Sequence, residues 1–115
     1  MNERLSCPDR NSDLPFGLRD ASDAAAAVRR GDVRSSELVD TVLARMPVAD
    51  ADLNAIVATC SDRARREAAR ADHAVSSAAP MGPLAGVPIS VKEAFHTVEM
   101  PTTWGLPEHE CWTAD

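Results

Sequence analysis

Residues 80–105, PMGPLAGVPISVKEAFHTVEMPTTWG, set the first limit on what this chain can fold into. Pro80, Pro83, Pro88 and Pro101 each remove a backbone donor, and Gly82, Gly86 and Gly105 weaken any regular element. A loop, SSAAPMGPLAG, is predicted at the start of this region. Val87–Val91 (VPISV) then reads as a short buried strand entering Lys92, with Pro88 confined to its first residues or to an edge.

The residues before this region read as helical. Ser22 to Arg30 is predicted as a first helix, with Asp20 and Ser22 both suited to the N-cap and Gly31 to the stop. The AAAA run is the best helix-forming composition. A second helix is predicted from Ser36 to Met46, capped by Ser35 and ended by Pro47. Leu38, Val39, Val42, Leu43 and Met46 form one stripe on it, read as core. Leu53–Thr59 (LNAIVAT) reads as a strand or an irregular buried segment. A third helix is predicted from Asp62 to Ser76, capped by Ser61, with apolar positions that are nearly all Ala. Residues 1–17 read as a flexible arm anchored by Phe16 and Leu18, and residues 18–115 as the folded part.

Composition narrows the function classes. The 115 residues carry a net charge of −6, which disfavours a phosphate-backbone ligand. The arginines at 63, 65, 66 and 70 alternate with acidic residues and read as a solvated helix face. Aromatics are only 3%, so a core made from this chain alone is small. Cys7, Cys60 and Cys111 are odd in number and show no metal spacing, as do His73, His96 and His109. Reduced thiols in a cytoplasmic protein are expected, with Cys60 buried. No stretch has the ~20 apolar residues of a membrane span, and no nucleic-acid or membrane partner is expected.

Lys92 is the residue with chemical potential. A lysine directly after an apolar strand is open to desolvation, which lowers its pKa and lets the neutral amine accept a proton. Spacing alone does not assign that role, because most lysines after an apolar strand are exposed strand ends.

The run from Gly82 to Gly105 resembles the amidase signature family's pattern G-P-L-x-G-[VI]-P, an apolar pair, V-K-[DE], and then P-T-T. Gly31-Asp32-Val33, Ser35 to Leu38 and Leu53 to Val57 are similar to that family's upstream segments. The resemblance covers Leu18 to Pro107. It implies an α/β fold, with these residues supplying the N-terminal helices and first core strands of an α/β/α architecture. It implies a Ser–cis-Ser–Lys triad that cleaves carbon–nitrogen amide bonds, with Lys92 as its base and no metal or cofactor. Two departures stand out. Arg34 replaces the usual Ser or Thr cap, so the capping box with Glu37 is expected to be lost. Trp104 occupies a position that is often small or polar, where it either shapes a pocket or packs.

Both triad serines of the family lie downstream, and the chain ends at Asp115. Ser76, Ser77 and Ser90 lie in no GSS-type turn, and strand alternation points Ser90 away from Lys92. The expectation is an incomplete amidase that hydrolyses no amide alone. Its expected partners are the missing C-terminal portion or a complementary chain, and a small-molecule amide once completed; a homo-oligomer is left open. The alternatives are a non-enzymatic helical interaction module, or one half of a split amidase or amidotransferase subunit.

Overall fold

Helix α1 (Ala21–Arg30) begins where Asp20 accepts the Asp23 backbone N–H at 2.9 Å. It ends at Gly31, whose φ of 75° lets its N–H reach the carbonyls of Ala27 and Val28. Between these caps Ala24, Ala25, Ala27 and Val28 are buried. A computed structural model of the chain describes residues 15–113, so most of the predicted arm lies outside the described residues. Of its two expected anchors, Leu18 packs on the core and Phe16 is exposed.

Helix α2 (Ser35–Ala49) runs three residues past the predicted stop. Pro47 sits inside it and removes only its own donor; the Asp50 N–H still bonds the Met46 carbonyl at 2.9 Å. The helix then turns on Asp50, whose carboxylate accepts the N–H groups of Ala55 (2.7 Å) and Ile56 (3.1 Å). At the N-terminus the capping box expected to be lost at Arg34 is half retained. The Arg34 N–H donates to Glu37 Oε2 at 3.0 Å, which needs only a backbone donor at that position.

A separate cap comes from helix α3 (Ser61–Ser76). Asp72 accepts the Ser35 N–H at 2.6 Å, the Ser36 N–H at 3.2 Å and the Ser36 hydroxyl at 2.6 Å. A carboxylate from another helix therefore satisfies two of the orphan donors of the first turn of α2. Ser35, only 1% exposed, donates its hydroxyl to the Gly86 carbonyl at 2.6 Å. It is thus a helical junction residue rather than the predicted cap. Ser61 likewise is the first residue of α3, with Cys60 at the cap position.

Gly86 closes the junction. Its φ is 84°, and a Cβ there would lie 3.0 Å from Val28 Cγ1 and 3.2 Å from the Cβ atoms of Ala71 and Ser35. All three helices meet the GPLAG turn at this point. Arg29 Nη1 adds a 2.6 Å bond to the Pro83 carbonyl. The alanine-rich face of α3, with Ala68 and Ala71 buried, makes this close approach available.

The predicted strands do not form. Among the described residues the only β pairing is an isolated antiparallel bridge between Pro101 and Thr113. A strand needs a neighbour to accept its ladder bonds, and neither LNAIVAT nor VPISV has one here. Leu53 and Val57 are each 74% exposed and Ile89 75%, so neither segment is buried as expected. Among the described residues no α/β sheet is present: they form three α-helices followed by an irregular C-terminal third. The molecule measures 52 × 45 × 22 Å, a flat layer. Its radius of gyration is 16.9 Å, against about 13 Å for a compact domain of ~100 residues.

Candidate active site

Lys92 follows VPISV on an irregular segment and is exposed rather than buried behind a strand. It borders an open cavity of about 1240 Å³ between α2, α3 and residues 80–101. Val42, Met46, Ile56, Phe95 and Trp104 contribute to its apolar lining. The α2 stripe accordingly divides. Leu38 and Val39 are buried in the helical core, whereas Val42, Leu43 and Met46 face this cavity and are exposed or half-buried.

The residue next to Lys92 has a defined task. The Glu93 carboxylate accepts the backbone N–H of Thr103, and also that of Trp104 at 2.9 and 3.0 Å to its two oxygens. Successive N–H groups converging on one anion form a small nest, and charge-assisted bonds of this kind are the stronger class. The Thr103 backbone N–H above all pulls the Glu93 carboxyl below its ordinary value. The Thr103 hydroxyl and the Trp104 N–H reinforce that pull, while partial burial opposes it. Trp104 has a φ of 52° and Gly105 of 74°. A left-handed conformation costs a non-glycine residue about 1–2 kcal/mol, so the turn at Trp104 needs an external hold. The Trp104 indole N–H also reaches the Ala94 carbonyl at 3.4 Å.

The segment beyond is pinned by rings and backbone. His96 and Trp112 pack edge to face at 5.4 Å, and His109 lies 5.1 Å from Trp112. The Thr102 N–H donates to the Trp112 carbonyl at 2.9 Å. Sequence reasoning aligns Glu93 and Pro101-Thr102-Thr103 with a pattern but misses that one holds the other. The only sequence signal is an acidic residue ten positions before a turn.

Other candidates resolve locally. Ser76 and Ser77 both donate their hydroxyls to the His73 carbonyl at 2.8 Å. Ser90 lines the same cavity as Lys92, and no strand exists to impose the alternation expected of it. Cys60 is exposed, against expectation, and both Cys60 and Cys111 are free. In the arginine cluster, Arg65 pairs with Asp40 at 2.9 Å and Arg70 with Glu67 at 2.8 Å. Arg65, Arg66 and Arg70 are exposed as predicted, whereas Arg63 is half-buried and donates to the Val98 carbonyl at 3.1 Å. No helix among the described residues is long and apolar enough to cross a membrane.

A helical layer that carries a lysine turn, a glycine-closed lead-in and a clamped Pro-Thr-Thr turn is the class of structure defined here. A family model described as Amidase matches residues 37–115. The chain is 42% identical over 90 residues to a glutamyl-tRNA(Gln) amidotransferase subunit of Anaeromyxobacter dehalogenans, covering 78% of this chain and 18% of that protein. It is 35% identical over 100 residues to the corresponding protein of Mycolicibacterium vanbaalenii, covering 83% and 20%. It is 41% identical over 76 residues to that of Synechococcus sp. CC9605, covering 66% and 16%. The chain belongs to the amidase family. It spans about a fifth of the length of these relatives.

Proposed function

We propose that this chain is the lysine-bearing part of an amidase-type hydrolase that cleaves carbon–nitrogen amide bonds. Lys92 is the base of a Ser–cis-Ser–Lys triad whose serines come from sequence outside these 115 residues. The observation that carries this reading is the placement of Lys92 at the rim of a large apolar cavity, beside a Pro-Thr-Thr turn clamped by Glu93. In the reaction the Lys92 Nζ takes the proton of the bridging serine. That serine takes the proton of the nucleophilic serine as it attacks the amide carbonyl. The proton then passes from Lys92 through the bridging serine to the amide nitrogen as the C–N bond breaks, so the amine leaves and an acyl-enzyme remains. Water, deprotonated by the same route, releases the acid.

The flat shape supports the same reading. Val42, Ile56, Val57, Ile89, Val91 and Phe95 are exposed apolar residues that line one open cavity, a surface suited to a packing partner. The remaining four-fifths of an amidase would cover them and give VPISV a neighbouring strand. The burial of Lys92 that its role requires would then come from that packing. A helical interaction module remains the second reading, favoured by the same exposed surface. The similarity to amidotransferase subunits makes a tRNA-dependent amidotransferase component the narrower form of the first reading.

The test grafts residues 37–115 in place of the matching segment of the Anaeromyxobacter relative and follows ammonia release from a panel of primary amides. The graft is expected to release ammonia and the 115-residue chain alone to release none. Turnover by the chain alone, lost on Lys92→Ala, would overturn the requirement for outside serines. A folded but silent graft would favour the interaction module.

A further inference from the structure

We propose that Glu93 is a positioning residue that fixes the Pro101–Gly105 turn against the Lys92 turn and thereby holds the Trp104 indole as a wall of the cavity that Lys92 borders. Three observations converge on it. The carboxylate is the shared acceptor of two successive backbone N–H groups at the apex of the turn. Trp104 keeps a left-handed backbone at that apex, a conformation an unrestrained tryptophan leaves. Trp104, Glu93 and Lys92 line one cavity, and the indole N–H bonds the Ala94 carbonyl, so the ring folds back over the lysine-bearing segment.

Glu93 and Lys92 are consecutive, so the clamp also fixes where the lysine segment sits relative to the wall. A carboxylate suits this task better than an amide. Its oxygens are both acceptors, whereas a glutamine turns an NH₂ toward the same N–H groups in one of its two orientations. That the wall faces an amide substrate rests on Lys92 being the triad lysine; the clamp itself does not.

The chain has two tryptophans, so Trp112→Phe leaves Trp104 as the sole indole. In that background acrylamide quenching and fluorescence anisotropy report the Trp104 side chain directly. Trp104 is 56% exposed, so freeing it raises the quenching constant by at most about twofold. Glu93→Gln is expected to approach that limit and to lower the anisotropy, with the far-UV circular dichroism of the helices unchanged. Glu93→Asp is expected to restore both signals toward the parent. Equal quenching and anisotropy in Glu93→Gln and the parent would overturn the proposal. So would a parent as quenchable as the urea-unfolded chain. Neither result bears on Lys92, which the graft tests separately.

Discussion

Gly82 and Gly86 occupy similar places in the GPLAG lead-in, yet replacing each by alanine should have opposite consequences. At Gly86 the new methyl would sit 3.0 Å from Val28 Cγ1 and 3.2 Å from the Cβ atoms of Ala71 and Ser35. Two of those neighbours are Cβ atoms fixed to helix backbone, so neither can rotate away. Overpacking of this kind costs about 1–3 kcal/mol. The φ of 84° adds left-handed strain, worth about 1–2 kcal/mol for a residue with a Cβ. Together Gly86→Ala should lose roughly 2–5 kcal/mol, a fall in Tm of roughly 10–20 °C for a chain of this size. At Gly82 nothing lies within 4 Å and φ is outside the left-handed region. Gly82→Ala should be neutral or stabilising by up to about 1 kcal/mol through the unfolded chain. Thermal and urea unfolding followed by far-UV circular dichroism measures both. A Gly86→Ala midpoint within about 0.5 kcal/mol of the parent, or an equal loss at Gly82, would refute the packing argument.

Asp72→Ala removes the carboxylate that caps α2 from α3 and should cost about 0.5–2 kcal/mol, the range for N-cap deletions; the urea midpoint checks it, and an unchanged midpoint would show that water replaces the cap. Leu38→Ala, in the buried half of the α2 stripe, should cost about 2–5 kcal/mol, whereas Val42→Ala, which faces the cavity, should cost under about 1 kcal/mol. Equal losses in the same assay would mean that the cavity is closed in the isolated chain. Glu93 has a folded pKa below its ordinary value, so its contribution is fully present above the unfolded pKa of about 4.3 and is lost as pH falls through the folded value. Trp104 quenching in the Trp112→Phe chain should therefore stay flat above about pH 5 and rise below about pH 4. A rise centred near neutral pH would contradict this.

The helices are legible in the sequence because their signals are local. Asp20, the alanine run and Gly31 lie within one stretch, and cap and stop fall where that stretch predicts them. The α2 terminus is only half legible. The Glu37 bond to the Arg34 N–H is local, but the second cap, Asp72, lies on another helix and has no signature in sequence. Pro47 does not stop α2, since a proline in the last turn forfeits one bond and Asp50 secures the chain beyond it. The strands fail for a different reason. VPISV has the composition of a buried strand, but a ladder requires a partner, and composition reports what a segment suits rather than what lies beside it. The same holds for Lys92. Its motif is readable from spacing and resemblance, whereas the burial expected of it is not seen, and Lys92 is exposed on an irregular segment.

The rate of acyl-enzyme formation in the grafted enzyme, with Lys92 intact, with Lys92→Ala and with Lys92→Arg, tests the role of the lysine itself. Both substitutions are expected to lower the rate by roughly 10³-fold or more, as loss of a triad member does, with KM little changed. A rate in Lys92→Ala within about tenfold of the parent would contradict the assignment of Lys92 as the triad base.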